Sequence, residues 1–399
     1  MKNRHFVLLV VSLTVVSCYI EVATAPNRPP NAFVVRAKTQ NNNVVLSWNK
    51  AIDPDGDAVK YDIVYKSDTI ARNINDTTFT LTNLPYSIEV AGFVIAKDSK
   101  GAMTSSPYNT SISENPFVLV PDINFERELI RLKIDDVQDG KLLKVSAKKI
   151  AYLYLDNLGI KNLEGIEAFI DLDRLFVTYN GLSKLDLSNN KSLTGLFAYG
   201  NQLKEIDLGK NTLLQDLGIA ENNISVIDIS KNLDLTNLWA SENGLTTLII
   251  GKNNSLKQIS IPKNKVEFLD ISQAPNLSIL SAYKNSLKNL DASNNIGLIH
   301  LDVGINQLSQ LDVTKNTKLK DLFISSNNFT KIDVSKNINL EGLLVNENNI
   351  SELNLCNNTK IIYLWCQTNQ IQTILLKDVS QVKSHWLKDA STVYKKCND

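Results

Sequence analysis

The chain has few of the residues from which enzyme and metal sites are usually built. Three histidines and four cysteines occur in 399 residues. No nucleophile elbow, Cys/His or Ser/His signature, or metal-ligand spacing is present. An enzyme therefore has little support as a function class. We predict no catalytic residue, no bound metal and no cofactor.

The chain also lacks an excess of charge of either sign. Lysine plus arginine and aspartate plus glutamate each number 42, which gives a formal net charge of zero. Binding to nucleic acid or to a strongly anionic membrane surface usually depends on a clear positive balance. Neither partner is expected.

The apolar run at the start of the chain, residues 6–16, is too short to span a bilayer permanently. It follows Lys2 and Arg4, and a basic start before a short apolar run is typical of a signal peptide. We therefore assign residues 1–17 to a signal peptide.

Residues 15–18, Val-Val-Ser-Cys, resemble the lipobox of bacterial lipoproteins, in which the cysteine is acylated and becomes the first residue. The alternative is an ordinary signal cleaved after Ala23 or Ala25, with Cys18 discarded. Tyr19 follows the cysteine, which in that family implies sorting to an outer membrane. Several acyl chains would give a stable anchor. The resemblance implies an exported protein, lipid-anchored at the outer membrane or cell surface, with no other membrane contact.

Residues 18–30 contain three prolines and no periodic apolar pattern, so we predict a tether there. Residues 31–113 alternate apolar and polar side chains in short runs, which predicts an antiparallel β-sandwich. An early Trp48, followed by Tyr61 and Tyr65 in one strand, resembles a fibronectin type III domain. Val90 departs from that family, which usually has a tyrosine at this position.

Residues 53–57, Asp-Pro-Asp-Gly-Asp, suggest either a calcium loop or a tight turn. The glycine is fourth rather than sixth, which does not match EF-hand spacing. A tight turn between two strands is the favoured prediction.

The feature that the chain has in abundance is repetition. Ten asparagines are spaced 21 residues apart: Asn180, Asn201, Asn222, Asn243, Asn264, Asn285, Asn306, Asn327, Asn348 and Asn369. The residue five before each is leucine or isoleucine, and the residue two after each is also apolar. Repetition at this period predicts a solenoid whose repeats are stable only when stacked on their neighbours. The asparagine amide has donors and an acceptor for the buried backbone groups of the turn.

The pattern L-x-x-L-x-L-x-x-N-x-L, continued as x-x-L-D-L-S-x-N, resembles the leucine-rich repeat in its short bacterial form, as in internalin-like horseshoes. The resemblance implies a mainly β fold with few helices, in which a parallel β ladder of 21-residue repeats follows the sandwich. Residues 117–171 would form an amino-terminal cap and a first irregular repeat, 172–379 the repeats, and 380–399 a carboxy-terminal cap.

In such a horseshoe, the strand side chains that point away from the leucines form the concave face. These lie six, four, two and one residues before each asparagine, and 9 of the 40 are aromatic, against 7% in the whole chain. The predicted ligand-binding residues are Phe176, Tyr179, Phe197, Tyr199, Trp239, Tyr283, Phe323, Tyr363 and Trp365. Aromatics do favour strands. Five of these nonetheless share one column, four before the asparagine, and exposed aromatics in line suit binding.

Charged residues of the same face are also arranged in columns. Glu221 and Glu242 are followed by Lys263 and Lys284. His300, Asp302 and Asp321 fall on neighbouring strands and suggest a metal or acid–base cluster. With so few histidines in the chain, surface polar residues are the favoured interpretation.

Repeat five is irregular, because Pro262 falls in its predicted strand and Ala274-Pro275 replaces the asparagine turn. Proline removes a ladder donor, so we expect a kink or bulge there.

Three cysteines remain beyond the lipobox: Cys356, Cys366 and Cys397. At most one bridge can form among them. Cys366 takes an inward strand position, which predicts a buried free thiol.

These observations favour a surface-anchored, monomeric binding protein whose concave face recognises another protein, as in adhesion. The alternative is a glycan-binding accessory of a polysaccharide-uptake system, since aromatic side chains stack on sugar rings.

Overall fold

The computed structural model describes residues 25–397. The predicted signal peptide and Cys18 lie outside the described residues. In the described part, no helix is long and apolar enough to cross a membrane. The contacts divide the chain into two units, with the boundary between Asn115 and Pro116.

The first unit contains seven antiparallel strands. They are β1 (Val35–Gln40), β2 (Asn43–Trp48), β3 (Lys60–Tyr65), β4 (Asp68–Ile74), β5 (Thr78–Leu81), β6 (Ile88–Lys97) and β7 (Met103–Ile112). One sheet has the order β1-β2-β5 and the other β4-β3-β6-β7. The alternating side chains of both sheets meet in one core, where Trp48 packs against Tyr61 with ring centroids 5.2 Å apart. The predicted β-sandwich is confirmed.

The second unit begins with a small cap. It consists of β8 (Phe117–Leu119), α1 (Ile123–Arg131), β9 (Lys141–Leu143) and the short α2 (Lys144–Ala147). One carboxylate oxygen of Asp122 caps α1, accepting from the backbone N–H groups of Asn124 and Phe125. Phe125 and Leu129 on the buried face of α1 belong to the same core as the repeat leucines. The cap thus covers the apolar end of the ladder.

Eleven short parallel strands form the ladder. They are β10 (Tyr152–Tyr154), β11 (Arg174–Phe176), β12 (Gly195–Phe197), β13 (Asp216–Gly218), β15 (Asn237–Trp239), β17 (Gln258–Ser260), β18 (Ile279–Ser281), β19 (His300–Asp302), β20 (Asp321–Phe323), β21 (Gly342–Leu344) and β23 (Tyr363–Trp365). Leu175 pairs with Leu196, and the same 21-residue register holds from β11 onward. The central residue of each strand is buried, and its neighbours point away from the core.

Two smaller parallel sheets and two 3-10 helices complete the unit. β14 (Val226–Asp228) pairs with β16 (Thr247–Ile249), and β22 (Glu352–Leu355) with β24 (Thr373–Leu376) and β25 (Val393–Lys396). The 3-10 helices are Ile166–Ala168 and Val379–Gln381.

The asparagines of the ladder join consecutive repeats, as the sequence predicts. Asn285 accepts from the N–H of Val266 at 3.0 Å and donates to the carbonyls of Ile261 and Ala282 at 2.9 and 3.1 Å. Ile261 and Val266 belong to the preceding repeat, so one amide connects two turns of backbone. The Val266 N–H would otherwise be without a partner, whereas the Ile261 and Ala282 carbonyls also accept from Asn264 and Asn306.

A second asparagine ladder lies ten residues after the first. Its members are fully buried: Asn190, Asn211, Asn232, Asn253, Asn295, Asn316, Asn337 and Asn358. Asn211, for example, donates to the carbonyls of Leu187 and Asn190.

The prediction of a kink or bulge in repeat five is wrong. β17 pairs in unbroken register with the strands on both sides, and Pro262 follows it rather than lying in it. Ile261 and Lys263 donate to the next repeat, and the residue between two such donors accepts a ladder bond but donates none. Proline at this position therefore removes nothing. The turn at Ala274 also keeps the backbone hydrogen bonds of its neighbours.

The residue before each ladder asparagine adopts a left-handed conformation. From Asn157 to Thr368, φ at this position lies between 50° and 63° in all eleven turns, and Gly200 is the one glycine among them. Ile305 and Thr368 are β-branched residues, for which this conformation is strained. The shape of the turn is thus imposed by the stacked repeats and not by local preference.

A disulfide closes the described carboxy-terminal end. Cys356 and Cys397 are bonded, and Cys366 is a buried free thiol. Both predictions about the cysteines are confirmed. Burial raises the pKa of the Cys366 thiol to about 12.

A candidate ligand-binding wall

We use the name strand wall for the side chains of the eleven-stranded ladder that point away from the leucine core, together with the two residues before each ladder asparagine. All nine predicted aromatics lie on it, and none belongs to the leucine core. Seven are half-buried, whereas Tyr179 is 57% and Trp365 43% exposed. Their placement outside the core is as predicted; their role in binding stays a prediction.

Three rings at the start of the strand wall form a continuous stack. Tyr154 and Phe176 have centroids 4.7 Å apart at an interplanar angle of 11°, and Phe176 and Phe197 are 4.8 Å apart at 7°. The spacing equals the separation of hydrogen-bonded strands. The rings therefore cover each other's faces and direct their edges outward.

Tyr152 and Tyr154 also lie on the strand wall, both more than half exposed, and were not predicted. Because Leu158 replaces the asparagine, the sequence predicts this segment to belong to the cap. The signal was nonetheless present: the two tyrosines stand six and four residues before Leu158, the spacing of Arg174 and Phe176 before Asn180.

Glycines on the strand wall make room for tyrosines of adjacent repeats. A β-carbon at Gly200 would come within 2.4 Å of the Tyr179 ring, and one at Gly342 within 2.3 Å of the Tyr363 ring. The two residues of each pair are 21 positions apart, so the sequence contains a signal for this packing. In both pairs, a tyrosine on one repeat is thus followed or preceded by a glycine at the same position of the adjacent repeat.

Charged residues in the middle of the strand wall are paired across strands. Arg174 bonds to Asp216 at 3.1 Å, over the side-chain-free Gly195. Lys263 bonds to Glu242 at 2.7 Å. Glu242 raises the pKa of Lys263 through this hydrogen bond. Such exposed pairs contribute little stability.

A second cluster lies on β19, β20 and β23. Asp321 accepts a hydrogen bond from the Tyr363 hydroxyl, and its carboxylate lies 3.5 Å from Nδ1 of His300. The His300 ring meets Phe323 edge-on at 5.1 Å. Burial, followed by the bond to Asp321, raises the pKa of Tyr363 to about 12.

Asp302 stands beside this cluster and accepts from the N–H of Gly304 at 3.1 Å. Burial raises the pKa of its carboxyl. In the described part of the chain, three ligand atoms converge within 4.8 Å at residues 53–57 and not at this cluster. The interpretation of His300, Asp302 and Asp321 as polar surface residues stays a prediction.

No protein-family model and no curated protein matches the chain. Among solved structures, an internalin (inlF) from Listeria monocytogenes matches with a TM-score of 0.50 at 21% identity, covering 70% of this chain and 97% of its own. The functional domain of InlJ from the same organism matches with 0.45 at 26%, covering 69% and 68%. The leucine-rich effector YopM from Yersinia pestis matches with 0.46 at 25%, covering 56% and 68%. The ladder of 21-residue turns and the match to the internalin structure show that the second unit has the leucine-rich repeat fold.

Proposed function

We propose that the strand wall binds a protein partner at a cell surface. The observation that carries the proposal is the aromatic stack of Tyr154, Phe176 and Phe197 on the solvent-facing side of the ladder. The leucine core is complete without it. Aromatic side chains beside paired charges are the composition that protein interfaces favour.

The geometry of the stack favours a protein over a glycan. A sugar ring stacks on the face of an aromatic ring, and in a face-to-face stack the inner faces are already covered. The stack offers ring edges instead, which suit the faces and edges of another protein's aromatic and apolar side chains. Arg174 and Asp216 lie alongside and add polar groups that can fix orientation.

A glycan ligand is the second candidate, and it depends on the two tryptophans. In the part of the chain that the structure describes, neither Trp239 nor Trp365 is stacked on another ring. Trp239 stands between Gly218 and Ser260 in its column, and Trp365 is 43% exposed. Their faces are the ones available to a sugar.

The placement at the surface rests on the start of the sequence. We infer that the chain is exported, acylated at Cys18 and anchored at the outer membrane or cell surface, with residues 18–30 as a tether. The sandwich, which we take to be fibronectin type III-like, acts as a spacer. Adhesion to another cell or to a matrix protein is the function that this arrangement serves best.

Binding of the soluble protein to glycan and protein arrays tests the proposal. Phe176→Ala combined with Phe197→Ala should weaken a protein ligand roughly thirtyfold, as expected when about 2 kcal/mol of an interface anchor is lost. Phe268→Ala is the matched control, because Phe268 is 74% exposed but lies outside the strand wall. Trp239→Ala combined with Trp365→Ala should weaken protein binding less than the double phenylalanine variant does.

Two results would contradict this assignment. Saturable protein binding that survives the double phenylalanine variant would place the contact elsewhere. Sugar binding that is lost in the double tryptophan variant, without any protein ligand, would favour the glycan function.

A further inference from the structure

Two turns of the sandwich have the same construction. Oδ1 of Asp53 accepts from the N–H groups of Asp55 and Asp57 at 2.9 and 3.2 Å. Oδ1 of Asp98 accepts from those of Lys100 and Ala102 at 2.8 and 2.9 Å. Residues 53–57 therefore form the tight turn that the sequence predicts, closed by a bond from Gly56 N–H to the Asp53 carbonyl.

The second carboxylate oxygen distinguishes the two turns. Oδ2 of Asp98 accepts from the Asn27 amide at 2.9 Å. Oδ2 of Asp53 is buried with no hydrogen-bond partner, and the residue as a whole is only 7% exposed. Burying a charged oxygen without a partner is unfavourable. This oxygen is therefore open to a group that the polypeptide does not supply, such as a water molecule or a cation.

The neighbouring carboxylates show what that group is. Asp53, Asp55 and Asp57 each place a carboxylate oxygen so that the three lie within 4.8 Å of one another. Calcium binds oxygen ligands at about 2.3–2.6 Å, so two oxygens on one ion are at most about 5 Å apart. We propose that Asp53, Asp55 and Asp57 bind a hard divalent cation of the calcium class.

Two basic side chains form ion pairs with the carboxylates of Asp55 and Asp57. Arg28 bonds to Asp55 at 2.7 Å, and its guanidinium also donates to the Pro54 carbonyl at 2.9 Å. Lys100 lies 3.0 Å from Asp57. Hydrogen bonds from Arg28 hold the pKa of Asp55 below its ordinary value. Both basic side chains are about 60% exposed, so they can turn into solvent without disturbing the core.

The cation competes with Arg28. Its binding releases the Arg28 guanidinium from Oδ1 of Asp55 and frees the Pro54 carbonyl as a further oxygen ligand. The bond from the Arg28 backbone N–H to Oδ2 of Asp55 is kept. Loss of Arg28 should therefore strengthen cation binding. The net charge of the site is minus one when the three carboxylates are counted with Arg28 and Lys100. This negative charge favours binding of a divalent cation over a water molecule.

Isothermal titration of the purified protein with calcium chloride, after chelator treatment, tests the site. We expect one ion per chain with a dissociation constant on the order of 10⁻⁴ to 10⁻³ M, the range of extracellular calcium modules. Asp53→Asn keeps the oxygen that accepts the two N–H bonds and removes the charged Oδ2. This variant should bind at least tenfold more weakly.

The matched control is Asp98→Asn, the same substitution in the sister turn, which should change the affinity less than twofold. Arg28→Ala should tighten binding several-fold. Circular dichroism in the presence of chelator checks that Asp53→Asn is folded. If that variant is unfolded, Asp57→Asn replaces it in the calcium titration. No saturable binding up to about 20 mM calcium, or equal binding by the parent, Asp53→Asn and Asp57→Asn, would overturn the proposal. If Arg28→Ala binds calcium with unchanged affinity, the proposed competition between Arg28 and the cation is wrong.

Discussion

Tyr199 fills the space that Gly218 leaves open on the adjacent strand. A β-carbon at Gly218 would come within 2.2 Å of the Tyr199 hydroxyl oxygen and 2.3 Å of the ring. Burial in this position raises the pKa of Tyr199 to about 12. In such pairs on the strand wall, one repeat supplies the ring and an adjacent repeat supplies the space for it.

Gly218→Ala should displace the Tyr199 ring and lower the free energy of unfolding by about 1–3 kcal/mol, the usual effect of overpacking. Urea unfolding measures the change. Gly244→Ala is the control, because no atom lies within 4 Å of a β-carbon there. Combining Gly218→Ala with Tyr199→Ala should recover part of the loss. Purely additive losses would show that the two residues do not interact.

Asn285→Leu should destabilise the ladder strongly. The substitution leaves the Val266 N–H without a partner, at about 1–3 kcal/mol. It also removes one of the two amide donors to the Ile261 carbonyl, the other being Asn264. Lys284→Ala, one residue earlier and exposed, should be nearly neutral. Equal midpoints of denaturation for the two variants would be incompatible with the hydrogen-bonding role of the asparagine.

Asp302→Asn should raise the melting temperature at pH 7. Burial raises the pKa of the Asp302 carboxyl, so the folded state keeps its proton to a higher pH than the unfolded state, whose pKa is near 3.8. The stability that this group contributes therefore falls as pH rises through the raised pKa. Asparagine keeps the acceptor for Gly304 but carries no charge. The gain should be smaller at pH 4 than at pH 7, and a lower melting temperature at pH 7 would refute this account.

Replacing Cys356 and Cys397 by serine should cost about 3–4 kcal/mol, because the bond closes a segment with a sequence separation of 41. Cys366 is buried, and its raised pKa disfavours the thiolate. Native protein should therefore resist alkylation at every cysteine of the described chain until it is reduced or unfolded. Rapid labelling of Cys366 in the folded, unreduced protein would contradict the burial.

Cys18→Ala should release the protein from the membrane fraction or block its processing. The expectation follows from acylation at the lipobox-like sequence, which lies outside the described residues. Fractionation and mass spectrometry of the mature amino terminus measure it. Normal cleavage with continued membrane association would exclude lipidation.

The ladder was predictable because its determinants are local and recur. Each buried strand leucine contacts adjacent repeats, and each asparagine amide bonds its own repeat and the preceding one, so the 21-residue period fixes strand positions and register together. The prediction failed at Pro262, because a proline disrupts a ladder only where the backbone N–H would donate a hydrogen bond. After β17 only alternate residues donate to the next repeat, and Pro262 lies between the two donors Ile261 and Lys263.

The details of the candidate site were less accessible to sequence reasoning. The column of phenylalanines was visible, but its face-to-face stacking depends on ring orientations that sequence does not specify. The free oxygen of Asp53 and the pairing of Arg28 with Asp55 depend on contacts between segments 25 or more residues apart. Motif spacing alone cannot place such contacts.

The uniform register of the ladder has a consequence for how this surface can evolve. Duplicating or deleting one complete 21-residue unit would reproduce every leucine contact and every asparagine bond at the new junction. The distance between Phe197 and His300 along the sheet would nonetheless change by one strand separation, about 4.8 Å. Gene-level gain or loss of a repeat would thus respace the two aromatic clusters in fixed steps while leaving the core intact. A lineage could in this way fit ligands of different lengths without altering any buried residue.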